Sequence, residues 1–477
     1  MKMRKLSAGV ARIDITPPIG IAHAGWGAQT HQRAVGVDLP LWATALALSD
    51  GHQTVVIVDL DLLYIWGPDA VRIRDAVSSL TGLAVSNIRI SWAHTHSGPV
   101  IAGVGWGDWI EEGAEMVLPY HESLPHRIAG VAWAAIRDLR PARVAAGSGT
   151  CRIAVNRRFK RPEDGEIIVG RNWDGPVDHQ VQVIRIDEME GRPLAAVIAY
   201  ACHPITVGPD NDLITPDYPG VAKRVVEQGT GATCLFLQGA AGDIAPIRGG
   251  VRGGIDEYKR LGSILGHEAC RVWWELELPP RKERYVETLV SGAPLAVYAD
   301  EPVEDADATI RVGVRTVYLS LKKWPAPEAL EAELEEHRAR LVGLRSTGGS
   351  EKEIQQETAL ITQVGFQVKA AKALKGQTHR PFELQLFTIG DEIALVAVPC
   401  EPFVEIGLEV KRDSPFKHTV FSSHSNVCID GGYIPTAYAY EQGGYEVEIN
   451  TPFSPEAAGQ VVEGSLALLD ELAGRRG

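Results

Sequence analysis

The chain has no C-x-x-C pair. Its six cysteines, Cys151, Cys202, Cys234, Cys270, Cys400 and Cys428, are widely scattered. Most sit in apolar context, as in AYACHP and GATCLFL, so they read as reduced core thiols and not as a disulfide framework. No stretch approaches the ~18 uninterrupted apolar residues of a transmembrane helix. The start, MKMRKLSAGVARIDITPPIG, opens with three basic residues in its first five but lacks the apolar core and the cleavage site of a signal peptide. The expected location is cytoplasmic, with no membrane anchoring. Basic charge is also in short supply, with 47 Lys+Arg against 61 Asp+Glu and a formal net charge of −14. Nucleic acid and anionic membranes both require a basic face, so neither is an expected partner. Internal repeats and low-complexity linkers are missing as well.

What is present is the material of a large core. Hydrophobic residues make up 45% and charged residues 23% of 477, the balance of an ordinary globular protein. Short runs rich in Val and Ile predict strands at Thr54–Asp59, Asn87–Trp92, Gln180–Ile186, Ala195–Ala201, Thr233–Leu237 and Glu392–Val398. Several alternate with helical stretches such as Pro68–Ser79 and Tyr218–Gln228. The pattern predicts an α/β fold, mixed sheets flanked by helices, with strand order left open. One compositional break falls at about 321–380, where two charged amphipathic segments joined by STGG predict a helical insertion.

The chemically loaded residues follow strand ends. NIRISW runs into His94 and His96, AAVIAYAC into His203, TCLFLQ into GAAGDIAP, and EIALVAVPC into Glu401. Ligands of open α/β sheets bind beyond the carboxyl ends of strands. Side chains alternate along a strand, so His94 and His96 share a face if the extended conformation persists that far. Taken singly, each residue has a bland reading: His203 as a hydrogen-bonded histidine, Glu401 as a carboxylate at a helix start. Together, two imidazoles and a carboxylate on rigid strand ends match an open hydrolytic zinc site.

In order along residues 8–447 stand AGVARIDITPP, GWGAQTHQRAVGVDLPLWATALAL, VVIVDLDLL, SWAHTHSGP, VNRR, YACHPITVG, QGAAGDIAP, VPCEPF and NVCIDGGYIPTAYAYEQGGYE. In these the chain resembles the catalytic domain of the neutral (non-lysosomal) ceramidase family, zinc-dependent amidases that cleave the N-acyl bond of ceramide. The resemblance implies one Zn²⁺ per chain on His94, His203, Glu401 and Tyr433. It implies that His96 is an active-site imidazole beside the metal. Arg157 and Tyr445 would contact the substrate or the developing oxyanion. Other divalent ions such as Mn²⁺ or Fe²⁺ remain open.

Two departures stand out. The family's G-D-V-S-P segment reads Gly242-Asp243-Ile244-Ala245-Pro246 here, so no serine nucleophile is available at Ala245. The chain ends about 30 residues after GGYE, which predicts a single metallohydrolase domain over 1–477 without the family's C-terminal immunoglobulin-like domain. A soluble small-to-medium N-acyl substrate is therefore expected in place of membrane sphingolipid. In the expected reaction His96 shuttles a proton to the leaving amine. Asp243 either orients His96 or His203 or is an ordinary turn or cap residue. An ester or lactone hydrolase using the same site is the alternative function, and a non-catalytic binding protein on the same fold a further one.

Overall fold

The strand Thr54–Leu60 is apolar at successive positions because both of its faces are buried. Val56, Val58 and Leu60 enter one core, whereas Val55 and Ile57 enter another. The same division runs through Pro193–Tyr200, where Ala196, Ile198 and Tyr200 face helices and Ala195, Val197 and Ala199 face a second sheet. A computed structural model of the chain describes residues 5–474, apart from 24, 27, 65–66, 102–111, 251–252, 302, 304–306 and 427–431.

The larger sheet has eight strands in the order Thr233–Gln238, Pro193–Tyr200, Gln180–Glu188, Arg140–Thr150, Leu6–Asp14, Trp42–Ser49, Thr54–Leu60 and Ile88–Trp92. A four-stranded sheet, Ile310–Ser320, His379–Ile389, Ile393–Ala397 and His418–Ser422, packs on one face of it. The helices Gly67–Thr81 and Val117–Arg137 close one half of the other face, and Asp217–Thr230 and Ile255–Glu275 the other half. The helices Val404–Asp413 and Ala457–Leu472 cover the smaller sheet. The result is a four-layer stack of helices, sheet, sheet and helices.

All six predicted strands are present, the first as Thr54–Leu60 and the second as Ile88–Trp92. Within the two large sheets most ladders are antiparallel, but three pairs are parallel. They are Thr54–Leu60 with Ile88–Trp92, Pro193–Tyr200 with Thr233–Gln238, and Ile393–Ala397 with His418–Ser422. These three pairs matter most, because their carboxyl ends converge. Trp92 N donates to His424 O at 3.0 Å, and Ser423 N to Gln238 O at 2.8 Å.

The insertion forms two helices, Pro327–Thr347 and Glu351–Ala373. It links two neighbouring antiparallel strands, Ile310–Ser320 and His379–Ile389. Ser350 and Glu353 form a capping box at the start of the second helix. The pair carries its own small core of Leu330, Leu334, Val364, Val368 and Ala371. Among the described residues no helix is long and apolar enough to cross a membrane.

Candidate active site

Each of the six strands in the three parallel pairs delivers something to one place. The segment after Ile88–Trp92 supplies His94, and the one after Thr54–Leu60 supplies the Leu63 carbonyl, 2.9 Å from His94 Nδ1. After Pro193–Tyr200 comes His203, and after Thr233–Gln238 the Ala241 carbonyl, 2.6 Å from His203 Nδ1. Ile393–Ala397 leads to Glu401, and His418–Ser422 to His424. A carbonyl can only accept, so the Nδ1 of His94 and of His203 carries the proton. Each Nε2 then presents a bare lone pair.

Those lone pairs meet a carboxylate. Glu401 Oε2 lies 3.0 Å from His203 Nε2 and 3.6 Å from His94 Nε2. All three atoms are buried without a hydrogen-bond partner. Burial alone would raise the Glu401 carboxyl, yet His94 and His203 hold it well below its ordinary range. Burial, and then the Arg157 charge, lowers His203 to about 4, so its imidazole is neutral at pH 7. Three acceptors facing one another with no proton to share is an arrangement that a cation completes. The donor set of two imidazole nitrogens and a carboxylate oxygen suits a divalent ion such as zinc.

Tyr433 is set beside this group by backbone pairing, since Glu401 and Tyr433 are register partners in a short parallel ladder. Its ring centroid lies 6.4 Å from that of His203. The residue before it, Gly432, has φ +106° and passes its carbonyl to Glu401 N at 3.2 Å, a conformation suited to glycine. Gly242 is needed for a different reason. A Cβ there would sit 2.4 Å from the Glu401 carbonyl oxygen. Burial keeps the Tyr433 phenol well above its ordinary pKa.

His96 is also brought to the site, but not by strand alternation. The strand ends at Trp92, and His94 takes φ +72°. Such a left-handed residue is uncommon and marks a constrained turn. The parity expectation therefore fails, and a turn places both imidazoles in the cavity with ring centroids 5.0 Å apart. His96 Nδ1 is held 2.9 Å from the Gly25 carbonyl, leaving Nε2 without a partner. Enclosure, followed by the neighbouring His94 and His203, drives the His96 pKa well below 6.5.

Arg157 lies on the strand Ala154–Lys160. Its Nε donates to Glu446 Oε1 at 2.9 Å, while its Nη2 is buried without a partner. Its guanidinium carbon is 5.1 Å from the Tyr433 ring centroid. Tyr445 stands edge-on to Tyr433, with ring centroids 5.8 Å apart, and its phenol accepts from Asn450 Nδ2 at 3.1 Å. Ala245 sits within the ladder Ile244–Pro246, opposite Val155.

Of the two readings of Asp243, the structure shows the cap residue, with its carboxylate bonded to neither His96 nor His203. Its carboxylate accepts from Asn156 Nδ2 at 2.7 Å and from Val404 N at 2.9 Å. The second bond satisfies an otherwise unpaired N–H at the start of the helix Val404–Asp413. Main-chain carbonyls orient the two histidines instead, so Asp243 ties the Arg157 strand to the segment after Glu401. Burial, then the Glu405 carboxylate, pushes Asp243 up to about 7. A folded-state pKa raised above the ordinary ~3.9 gives stability that is complete below that value and lost as pH rises through about 7. Asp243→Asn should flatten this decline, which reaches up to about 1.4 kcal/mol per pH unit. Denaturant melts of both proteins between pH 4 and 7 check it, and parallel slopes would remove Asp243 as the cause.

Sequence reasoning missed His424. It stacks on His94 with centroids 3.8 Å apart, and it lies close enough to His94 and Glu401 to share an ion. The signal was available, since HTVFSSH is another Val-containing run ending in histidine. It also missed Glu446, which binds both Arg157 and Arg158. The group lies in a cavity of about 870 Å³ whose walls include Trp26, Leu63, Tyr64, Trp324, Phe366 and Ile449. One side of that cavity is the inserted helix Glu351–Ala373, through Ala359, Thr362, Gln363 and Phe366.

Comparison with known proteins places the fold and the family. The family model for the neutral/alkaline non-lysosomal ceramidase N-terminal region matches residues 6–251. Neutral ceramidase A of Dictyostelium discoideum is 25% identical over 260 residues, 50% of this chain and 35% of the relative. Neutral ceramidase B of the same organism is 25% identical over 263 residues, 51% and 35% of the two chains. The match thus spans about a third of the length of these curated relatives. The crystal structure of neutral ceramidase from Pseudomonas aeruginosa superposes with a TM-score of 0.69 at 19% identity, covering 99% of this chain and 75% of that one. A ceramidase complexed with C2 gives a TM-score of 0.67 at 18% identity, covering 99% and 76%. Over residues 6–251, and with this fold, the chain belongs to the neutral/alkaline non-lysosomal ceramidase family.

Proposed function

We propose that the chain is a metal-dependent amidase that releases an apolar acyl chain from an N-acyl amide by hydrolysis. One observation carries the reading. Three buried acceptors, His94 Nε2, His203 Nε2 and Glu401 Oε2, converge without partners in a large, mainly apolar cavity. A divalent ion held by these residues and Tyr433, zinc being the best fit, would lower the pKa of water to about 7 and polarise a carbonyl.

The protein's own groups account for the rest. Arg157 Nη2, buried and unpartnered, is available to donate to a carbonyl oxygen that gains negative charge, with the Tyr445 phenol a second donor. His96 Nε2 carries a lone pair toward the cavity, fixed by the Gly25 carbonyl behind the ring. It can accept a proton and return it to the departing nitrogen, which an amide needs far more than an ester does. With Ala245 in the place of the serine, no covalent acyl route through that position exists.

The soluble substrate expected from the sequence fits this cavity poorly. Trp26, Leu63, Trp324 and Phe366 offer few polar partners, and the volume of about 870 Å³ lies in the upper part of the range for ligand sites. Lipid-like N-acyl amides fit better, in line with relatives named as ceramidases. Each buried methylene is worth ~0.8 kcal/mol, or about fourfold in kcat/KM. A series of N-acyl amides on metal-replete protein should therefore show kcat/KM climbing about fourfold per methylene until the cavity is filled. A flat series would return the substrate to a small soluble amide. Turnover of esters alone would replace the amidase reading with the esterase one.

A further inference from the structure

Between the helix Ile255–Glu275 and the strand Ile310–Ser320 the chain leaves the body as a hairpin, Lys282–Leu289 paired with Leu295–Glu301. The pair forms a two-stranded sheet of its own. Every residue of the first strand is exposed, and in the second only Val297 and Glu301 are half-buried. An isolated two-stranded hairpin is marginal in water at best, so this one needs something to cover it. Its composition agrees. From Thr288 to Ala299 the sequence TLVSGAPLAVYA carries no charge. Val290 is 90% exposed, and Leu289, Leu295 and Tyr298 each expose more than half of their surface. Tyr285 and Tyr298 meet on one face, with ring centroids 6.3 Å apart.

We propose that this hairpin is a self-association arm, and that its occupant is a second copy of the same chain. Three observations choose that partner. First, both outer edges of the hairpin lack a ladder partner among the described residues. Lipid cannot satisfy open strand edges, whereas another strand can. Second, the return leg is rooted at Ile310, whose N–H is held by Asp50 in the turn before Thr54–Leu60. That is the end of the sheets opposite His94, His203 and Glu401, so the arm does not present the cavity to a bilayer. Third, the base carries both signs, with Lys282 and Arg284 facing Glu301. A strand edge paired antiparallel with its own copy is self-complementary about a two-fold axis, and mixed charge at its base suits such a match. The strands' 8 and 7 residues supply about half of the roughly 20–30 residues a side of a standard interface. The partner's surface beneath the arm supplies the remainder.

The test is sedimentation velocity of the full chain, beside a Leu289→Lys/Leu295→Lys variant whose changes lie far from the core. Wild type is expected at twice the 51.6 kDa chain mass. The variant is expected at the single-chain mass, with its melting temperature and N-acyl amide turnover kept. Amide hydrogen exchange should be slow in the wild-type arm and at least ~10-fold faster in the variant, as local opening no longer competes with pairing. Wild type at single-chain mass up to 100 μM overturns the proposal. So does a variant that remains dimeric, which would place the interface elsewhere. Cosedimentation of single wild-type chains with phosphatidylcholine vesicles, lost in the variant, overturns it in favour of a lipid surface.

Discussion

His203→Ala is expected to remove stoichiometric metal and with it all measurable amidase activity. In the folded chain His203 Nε2 lies 3.0 Å from Glu401 Oε2, and both atoms are buried without a hydrogen-bond partner. The imidazole is oriented by the Ala241 carbonyl at 2.6 Å, which aims Nε2 at the carboxylate. Losing a residue that merely supports a metal ligand lowers affinity or activity roughly 10–100-fold, and losing the ligand itself should exceed that. Metal content by mass spectrometry, on protein purified without chelator, reads the outcome directly. Near one zinc per wild-type chain and almost none in the variant is the expected result. Stoichiometric metal in neither protein would sink the hydrolytic reading and favour a binding protein on the same fold.

His96→Ala should separate chemistry from metal binding. His96 shares the cavity with His94 and His203, at centroid distances of 5.0 and 5.9 Å, but its Nδ1 is committed to Gly25 and its ring packs against Trp26. The variant is expected to keep its metal and to lose about 10²–10⁴ in amide kcat, the range for a removed general acid–base. Ester turnover should fall much less, because an alkoxide leaves with less need of a proton. Equal losses on both substrates would make His96 a positioning residue. Loss of the metal would make it a ligand.

Much of this site was legible in the chain because it is built at strand ends. A buried strand must be apolar, and the first polar residues after it are where the chain leaves the core. His94, His203 and Glu401 stand out for that reason. His424 occupies the same kind of position and was as readable, but the strand before it begins with the polar His418 and Thr419 and has less contrast. Asp243 stayed open between two readings, because an acidic residue in a glycine-rich turn near histidines can be their partner or a helix cap, and it is the cap. The folded chain gives the task of orienting the histidines to carbonyls, which every residue possesses and no sequence advertises.

The sequence by itself determined the strands and helices, the strand ends, the side-chain chemistry and the loss of the serine route at Ala245. These follow from local pattern, since alternation and apolar runs are properties of neighbours in the chain. Tertiary structure alone decided the rest. The parallel pairing of three strand couples, the φ of +72° at His94, the carbonyls behind each imidazole and the apolar cavity all depend on residues far apart in the chain. Trp26, Leu63, Trp324 and Phe366 come from separate segments. Their shared wall exists only once the inserted helix Glu351–Ala373 has packed beside the site. A cavity is a property of what folding brings together, and that is why the lipid-like character of the proposed substrate could not be read from any one stretch.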